Sequence, residues 1–126
     1  MVTLVIKGTL VNLNDYTKAC RTNRFCGAEM KEKTEAIITK HIKEQLDGVY
    51  FDKPVRLSFG WYEPNRKRDL DNICFAKKFI LDALVKNGVL VNDGWRWVKG
   101  FTDEFFIDKD FPRVEVDIEG AGENEY

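Results

Sequence analysis

The strictest pattern in this chain is the alternation of apolar and polar residues across Pro54–Tyr62. The apolar members of this segment are Val55, Leu57, Phe59 and Trp61. Side chains two positions apart point to the same face of an extended chain, so the segment predicts a strand with one buried face. A strand of this kind needs a second layer to cover its apolar face. Similar alternation predicts further strands over Val2–Val11, Trp95–Phe101 and Val114–Ile118.

Two other segments repeat apolar residues every three to four positions, which is the period of an amphipathic helix. The first segment is Ala28–Leu46. The second begins near Asp69 or Asp71, because a short carboxylate can accept hydrogen bonds from the first N–H groups of a helix, and it ends at Asn87-Gly88. Asn12–Gly27 has no period and is predicted to be a long loop, of the kind that is usually functional.

The order of these segments is β-α-β-α-β-β. This order predicts an α+β fold, in which two main helices pack on a small mixed sheet. A length of 126 residues corresponds to about one domain. We therefore expect a single domain over residues 1–119, followed by an acidic, disordered tail over residues 120–126.

Composition excludes several classes of protein. Apolar residues make up 44% of the chain and charged residues 33%, which excludes disorder of the whole chain and a collagen-like repeat. The apolar runs are too short for a membrane span and the N-terminus has no secretory pattern, so we expect a soluble, cytoplasmic protein.

With 3 cysteines, 1 histidine and no CxxC pair, a bound metal should be a hard cation held by carboxylates rather than zinc. His41 lies near the apolar face of the first helix, where we expect a packing role.

The net charge of −1 conceals an asymmetry along the chain. Residues 103–126 contain 9 acidic and 2 basic residues, which leaves 12 acidic and 18 basic residues, a net charge of +6, in the first 102. A locally basic surface is typical of a protein that binds a polyanion, although a solvated surface with a charged tail explains the same counts. The basic residues concentrate at Lys18, Arg21, Arg24, Lys31, Lys33 and Arg66-Lys67-Arg68.

The segment with the most chemical information is Arg66-Lys67-Arg68-Asp69-Leu70-Asp71-Asn72. Asp69 and Asp71 are two residues apart and point the same way in an extended segment, so they can converge where a strand meets a helix. Two converging carboxylates repel each other unless a cation or a shared proton is present. Mg²⁺ meets this need, because it binds through one or two carboxylates together with waters and phosphate oxygens.

The helix that follows adds further ionisable groups. At about 100° per residue, Asp71, Lys78 and Asp82 fall on one helix face, where Lys78 and Asp82 can pair. Asp93 occupies a glycine-containing turn, from which it can reach back toward the site. Metal-binding acids, a lysine that stabilises charge on a phosphate and a basic loop that contacts flanking phosphates suit phosphodiester hydrolysis. A capped helix with a surface ion pair is the simpler structural explanation.

A composite motif joins these residues: Lys67-Arg68-Asp69-Leu70-Asp71-Asn72, then Lys78 with Asp82-Ala83-Leu84, then Gly88 and Asn92-Asp93. In order and spacing it resembles the RusA family of Holliday junction resolvases, and residues 10–33 look like phage and prophage members of that family. The resemblance implies a homodimeric endonuclease that depends on Mg²⁺, with Mn²⁺ able to substitute. Its implied substrate is a four-way DNA junction, cut by paired symmetric nicks during recombination and repair in a bacterial or phage-infected host cell.

The resemblance also implies the roles of individual residues. The residues that match catalytic positions of the family are Asp69, Asp71, Lys78 and Asp93, of which the three acids are the metal ligands. Lys77 stays an alternative to Lys78, because the gap after Asn72 is longer than in the best-known member. Asn92 stands where the family pattern has the first acid of a D-D pair. The residues expected to contact DNA are Lys18, Arg21, Arg24, Arg66, Lys67 and Arg68.

Two other functions fit the same residues. A non-catalytic module could recognise branched DNA through the basic segments, and the replacement of an acid by Asn92 keeps this alternative open. A structural or partner-binding protein would instead use the aromatic residues of the C-terminal half. These aromatics are more typical of a core and a dimer interface than of a base-stacking platform, and they are Trp95, Trp97, Phe101, Phe105 and Phe106.

Overall fold

The structure is a computed structural model that describes residues 1–121. Its strands are β1 (Val2–Lys7), β2 (Val55–Glu63), β3 (Val98–Ile107) and β4 (Arg113–Gly120). They form one sheet in the order β1-β4-β2-β3. β4 runs antiparallel to both β1 and β2, whereas β2 and β3 are parallel. The sheet is therefore mixed, as the sequence predicts.

The helices in the described chain are α1 (Leu13–Thr22), α2 (Arg24–Gln45), α3 (Leu70–Cys74) and α4 (Lys77–Lys86). α1 and α2 connect β1 to β2, and α3 and α4 connect β2 to β3, so the predicted α+β class and element order are confirmed. Within residues 1–121 no helix combines the length and the apolar character needed to cross a membrane. β4 extends to Gly120, and residues 122–126 of the predicted tail lie outside the described residues.

The long loop predicted over Asn12–Gly27 is wrong, because this stretch forms α1 and the first turn of α2. Asn12 Oδ1 accepts a hydrogen bond from the Asp15 N–H at 2.8 Å and so caps α1. Asn23 Oδ1 accepts hydrogen bonds from two N–H groups of the first turn of α2, at 2.9 and 3.0 Å. Asparagine is favoured both in loops and at helix N-caps. Here the residues that suggest a loop mark the starts of two helices.

The strand predicted over Trp95–Phe101 begins three residues later and extends farther than predicted. Trp95 lies in a turn and is 93% exposed. In this turn Asn92 Oδ1 accepts from the Gly94 N–H at 2.8 Å, and the Gly94 carbonyl accepts from the N–H groups of residues 97 and 98. Because these local hydrogen bonds hold the chain in a turn, β3 begins only at Val98. Its parallel pairing with β2 then keeps it extended up to Ile107, which is a long-range effect.

The apolar core lies between the helices and one face of the sheet. The alternating residues of β2 point into it, as predicted, and each is at most 2% exposed. The side chains that complete this core come mainly from Leu4, Ile6, Ile38, Ile42, Phe79, Ile80, Ala83, Leu84, Val116 and Ile118. Burial on this scale is the main stabilising contribution to a domain of this size.

Two side chains of α2 close the outer edge of β1. The Gln45 carboxamide accepts from the Val5 N–H and donates to the Val5 carbonyl, both at 2.8 Å. His41 Nδ1 lies 2.8 Å from the Ile37 carbonyl and Nε2 lies 3.4 Å from the Lys7 nitrogen. Nδ1 is then the donor and Nε2 the acceptor, so His41 packs against the sheet edge. A covered edge cannot pair with another chain.

We expect Gln45→Ala to lower the free energy of unfolding by about 1–2 kcal/mol, because it removes two hydrogen bonds to the Val5 backbone. The measurement is urea denaturation followed by circular dichroism. Glu44→Ala is the matched control, since Glu44 is the exposed neighbour on the same helix. Equal stabilities of the two variants would show that Gln45 does not secure this edge.

Candidate active site

The loop between β2 and α3 presents the two neighbouring acids. Asp69 occupies the N-cap position of α3, yet its side chain makes no capping hydrogen bond, contrary to the predicted cap. Asp71 lies in the first turn of α3, where Oδ1 accepts from the Asn72 N–H at 3.0 Å. Both acids are exposed, and neither is in an ion pair with another described residue. Their carboxylates are therefore able to bind a cation.

The second predicted helix is interrupted between α3 and α4. Residues 75 and 76 form a turn, and α4 begins at Lys77. The predicted single helix is therefore two helices. Phe75 and Ala76 keep right-handed helical backbone angles between them, so the shared face of Asp71, Lys78 and Asp82 stays a prediction. Lys78 is exposed and, among residues 1–121, forms no ion pair with Asp82.

Lys77 points toward the sheet and meets β3. Its Nζ lies 2.6 Å from Asp103 Oδ2, 5.2 Å from the Phe59 ring centroid and 4.7 Å from the Phe101 ring centroid. The other carboxylate oxygen, Asp103 Oδ1, accepts a hydrogen bond from Trp61 Nε1–H at 2.8 Å. The side chains of Lys77 and Asp103 are 19% and 24% exposed. The arrangement is a partly buried ion pair held between aromatic rings.

Cys74 ends α3 and lies between Asp71 and Lys77 in the chain. Burial is the main factor that raises the pKa of the Cys74 thiol; the Asp103 carboxylate raises this pKa further, Lys77 lowers it, and Asp71 adds a smaller increase. Cys74 Sγ is also 3.9 Å from the Asp71 carbonyl oxygen.

The sequence pattern does not single out Asp103. It belongs to the acidic C-terminal segment, where nothing local distinguishes it from the other acids. The parallel register pairs Phe59 with Asp103 and so places the carboxylate on the helix side of the sheet. The only sequence signal was an acid at an otherwise aromatic position, between Phe101 and Phe105 on one face of the strand.

Asp93 follows α4 in the turn that Asn92 and Gly94 stabilise, and it is exposed. Across the described range 1–121, no three His, Cys, Asp or Glu side chains are placed to hold a metal ion together. The convergence of Asp69, Asp71 and Asp93 therefore stays a prediction. The donor chemistry at α3 does fit a hard cation, because Mg²⁺ commonly uses only one or two protein carboxylates and completes its shell with waters and substrate phosphate.

The three basic residues before Asp69 divide into two groups. Arg66 and Lys67 are exposed and accessible to phosphates. Arg68 turns inward: Nη2 donates to the Leu10 carbonyl at 3.1 Å, and Nε lies 3.5 Å from Glu63 Oε1. Arg68 thus anchors the loop that carries the acids, whereas its two neighbours face outward.

A cavity of about 540 Å³ opens beside Asp69. Charged residues of the β2–α3 loop form one part of its wall, and apolar residues near the end of β3 form another. Glu63, at the end of β2, lies in this wall with its side chain 8% exposed. Burial raises the pKa of the Glu63 carboxyl, and the positive charge of Arg68 opposes that rise without cancelling it.

The other residues expected to contact DNA lie on helices rather than on a loop. Lys18 and Arg21 are exposed and line a groove of about 450 Å³ along α1. Arg24, in the first turn of α2, lies over the ring of Phe25 at 5.0 Å, and that ring is 69% exposed. These cations therefore lie on the exposed surfaces of two helices that contact each other.

The raised pKa of Glu63 predicts a pH-dependent stability. A carboxyl whose pKa is raised by folding stabilises the fold at a pH below its unfolded value of about 4.5, and this contribution is lost as pH rises through the raised value. We therefore expect Glu63→Gln to gain stability relative to wild type on going from about pH 4 to about pH 7.5. Urea denaturation at both pH values measures this, with the exposed Glu32→Gln as control. If the stability difference between Glu63→Gln and wild type is the same at both pH values, the prediction is wrong.

Comparisons with known proteins place the chain in a family. The search of curated proteins found no match. The family model described as Endodeoxyribonuclease RusA matches residues 13–119, which run from the start of α1 almost to the end of β4. The match covers most of the chain and includes both acids at α3, the basic loop and the lysines of α4. The chain therefore belongs to the RusA family of endodeoxyribonucleases.

Proposed function

We propose that this chain is a Mg²⁺-dependent endodeoxyribonuclease that resolves Holliday junctions by paired symmetric nicks. Membership of the family supports DNA cleavage, and the metal ion and the four-way junction are what we infer beyond it. The observation that carries the proposal is that Asp69 and Asp71, which form no ion pair with any residue of 1–121, follow the exposed cations Arg66 and Lys67 in one loop. Phosphodiester hydrolysis needs such acids for a cation and such bases for flanking phosphates.

Each group has a defined task in this proposal. Asp69 and Asp71 hold the cation, and Asp93 adds a third carboxylate from the turn after α4. When bound, Mg²⁺ or Mn²⁺ supplies an activated water and neutralises the phosphate under attack. A lysine at the start of α4 stabilises the charge that builds on the scissile phosphate. The motif alignment selects Lys78 for this task, with Lys77 as the alternative.

Symmetric cleavage requires two active sites, and a homodimer with two-fold symmetry supplies them. The exposed cations of α1 and α2, Lys18, Arg21 and Arg24, contact the phosphates of the junction arms, and Arg66 and Lys67 contact those nearest the cut. We assign the activity to DNA recombination and repair in the cytoplasm of a bacterial or phage-infected host cell, for a protein of the prophage type.

A non-catalytic module that binds branched DNA is the second candidate. Asn92 replaces an acid of the family pattern, and its Oδ1 is already engaged by the Gly94 N–H at 2.8 Å. A junction gel shift in EDTA that never becomes cleavage after addition of Mg²⁺ or Mn²⁺ would favour this candidate. Binding of junctions no tighter than of unrelated polyanions, without cleavage, would instead favour a structural protein.

Cleavage of a synthetic four-way junction tests the nuclease. We expect wild type to cut it in Mg²⁺ and to spare the matching linear duplex. Asp71→Asn should lower the cleavage rate by about 10²-fold or more while junction binding is retained, because the variant loses a metal ligand but keeps every basic residue. Denaturing gels quantify the nicks, and gel shifts in Ca²⁺ quantify the binding.

The matched control for this experiment is Asp52→Asn, which removes an exposed carboxylate outside the site. We expect it to cleave at the wild-type rate. A folded Asp71→Asn protein that cuts as fast as wild type would show that the proposed metal site is wrong.

The exposed cations of the loop predict a salt dependence. Arg66→Ala should weaken junction binding and reduce the slope of log K against log salt by about 0.9, because each phosphate contact releases condensed counterions. Fluorescence anisotropy in EDTA at several salt concentrations measures the slope. Lys53→Ala, an exposed cation outside the loop, should leave it unchanged. An unaltered slope for Arg66→Ala would remove the loop from the DNA interface.

A further inference from the structure

The ion pair that α4 shares with β3 is held in one geometry. Lys77 Nζ donates a hydrogen bond to Asp103 Oδ2 at 2.6 Å, and Trp61 Nε1–H donates one to Asp103 Oδ1 at 2.8 Å. Trp61 is 1% exposed and lies in the centre of the core, so its indole is fixed by packing. Both oxygens of the carboxylate are therefore engaged, and its orientation is set by a buried side chain of β2.

The Lys77 ammonium keeps part of its bonding capacity. An ammonium has three N–H donors, and among residues 1–121 one of them bonds to Asp103. The rings of Phe59 and Phe101, at 5.2 and 4.7 Å, favour a positive charge at this position. Because the Lys77 side chain is 19% exposed, its other donors can meet a group that approaches from outside.

Stability alone does not account for this arrangement. A partly buried ion pair loses much of its attraction to desolvation, and apolar residues of similar volume are often as stabilising. The position of the pair is more informative. Lys77 is the first residue of α4, and Cys74, three residues earlier, contacts the Asp71 carbonyl oxygen at 3.9 Å, so the pair lies in the helical segment that directly follows one of the proposed metal ligands.

We propose that Asp103 is a positioning residue that, together with Trp61, fixes the Lys77 ammonium at the start of α4, where it stabilises the charge that builds on the scissile phosphate. This inference rests on the proposed nuclease function and selects Lys77 rather than Lys78 as the acting lysine. In the hydrolysis a water oxygen bonds to phosphorus, the P–O bond to the leaving sugar oxygen breaks, and a proton from water ends on that oxygen. Lys77 keeps its own proton throughout.

Asp103→Asn tests the proposal, because it removes the charge but keeps an acceptor for Trp61. We expect kcat on a four-way junction to fall by about 10- to 100-fold while KM changes by less than about twofold. Asp103→Glu restores the charge one methylene farther out and should recover part of the lost kcat. The matched control is Glu104→Gln, on the opposite face of β3, which should retain wild-type kcat.

A double-mutant cycle asks whether Asp103 acts through Lys77. Lys77→Met should lower kcat at least as much as Asp103→Asn, and the double variant should be no slower than Lys77→Met alone, because residues that act as a unit are not additive. Thermal unfolding establishes that each variant is folded. The inference is overturned by wild-type kcat in Asp103→Asn, by additive losses in the double variant, or by loss of activity in Lys78→Met that Lys77→Met does not share.

Failure of this inference is distinguishable from failure of the proposed function. A wild-type chain that cuts no junction in Mg²⁺ or Mn²⁺ overturns both. A wild-type chain that cuts, together with an Asp71→Asn variant that does not and an Asp103→Asn variant at full kcat, overturns the positioning role alone.

Discussion

The parallel pairing of β2 with β3 is the constraint on which the candidate active site depends. Parallel neighbours cannot be joined by a tight turn, so the chain must cross back over the sheet between them. Here the crossover contains the β2–α3 loop, α3 and α4, and it carries Asp69, Asp71 and Lys77. The same pairing sets Asp103 opposite Phe59 and therefore within reach of Lys77. One topological requirement thus places the acids and the lysine on the same crossover and gives the lysine its carboxylate partner. A cavity lies at the carboxyl ends of the two strands, a common location for ligand sites in sheets with parallel strands.

The basic loop combines an anchor with an exposed cationic surface, and different residues form the two. Arg68 is tied to Leu10 and lies against the buried Glu63. This contact connects the loop to the segment before α1 and to the end of β2. With its base fixed in this way, the loop can present Arg66 and Lys67 outward at a defined distance from Asp69. The three consecutive cations look equivalent in the sequence, but in the structure Arg68 points inward, whereas Arg66 and Lys67 point outward.

The sequence predicted those elements in which buried residues recur at the regular spacing of a strand or a helix. β2 alternates because one face is covered, and α2 and α4 repeat their apolar residues because one stripe is covered. α1 was missed because its capping residue, Asn12, is also a typical loop residue. Asp103 was missed because its partner lies 26 residues away in sequence and meets it only through strand register. The placement of Asp93 relative to α3 likewise depends on tertiary geometry, so the three-acid site stays a prediction from family resemblance.

The acids of the C-terminal segment lie in two environments, with different consequences for DNA. Asp103 faces the helices, where Lys77 neutralises it. Glu104, Glu115 and Asp117 instead line the opposite face of the sheet. Arg113 also lies on that face, over the Tyr62 ring at 3.7 Å, where Asp108 and Glu115 hold it. Carboxylates repel a polyanion, whereas unpaired cations attract it. This contrast supports the DNA interface proposed above on the side that carries α1, the outward cations of the loop, Asp69 and Asp71.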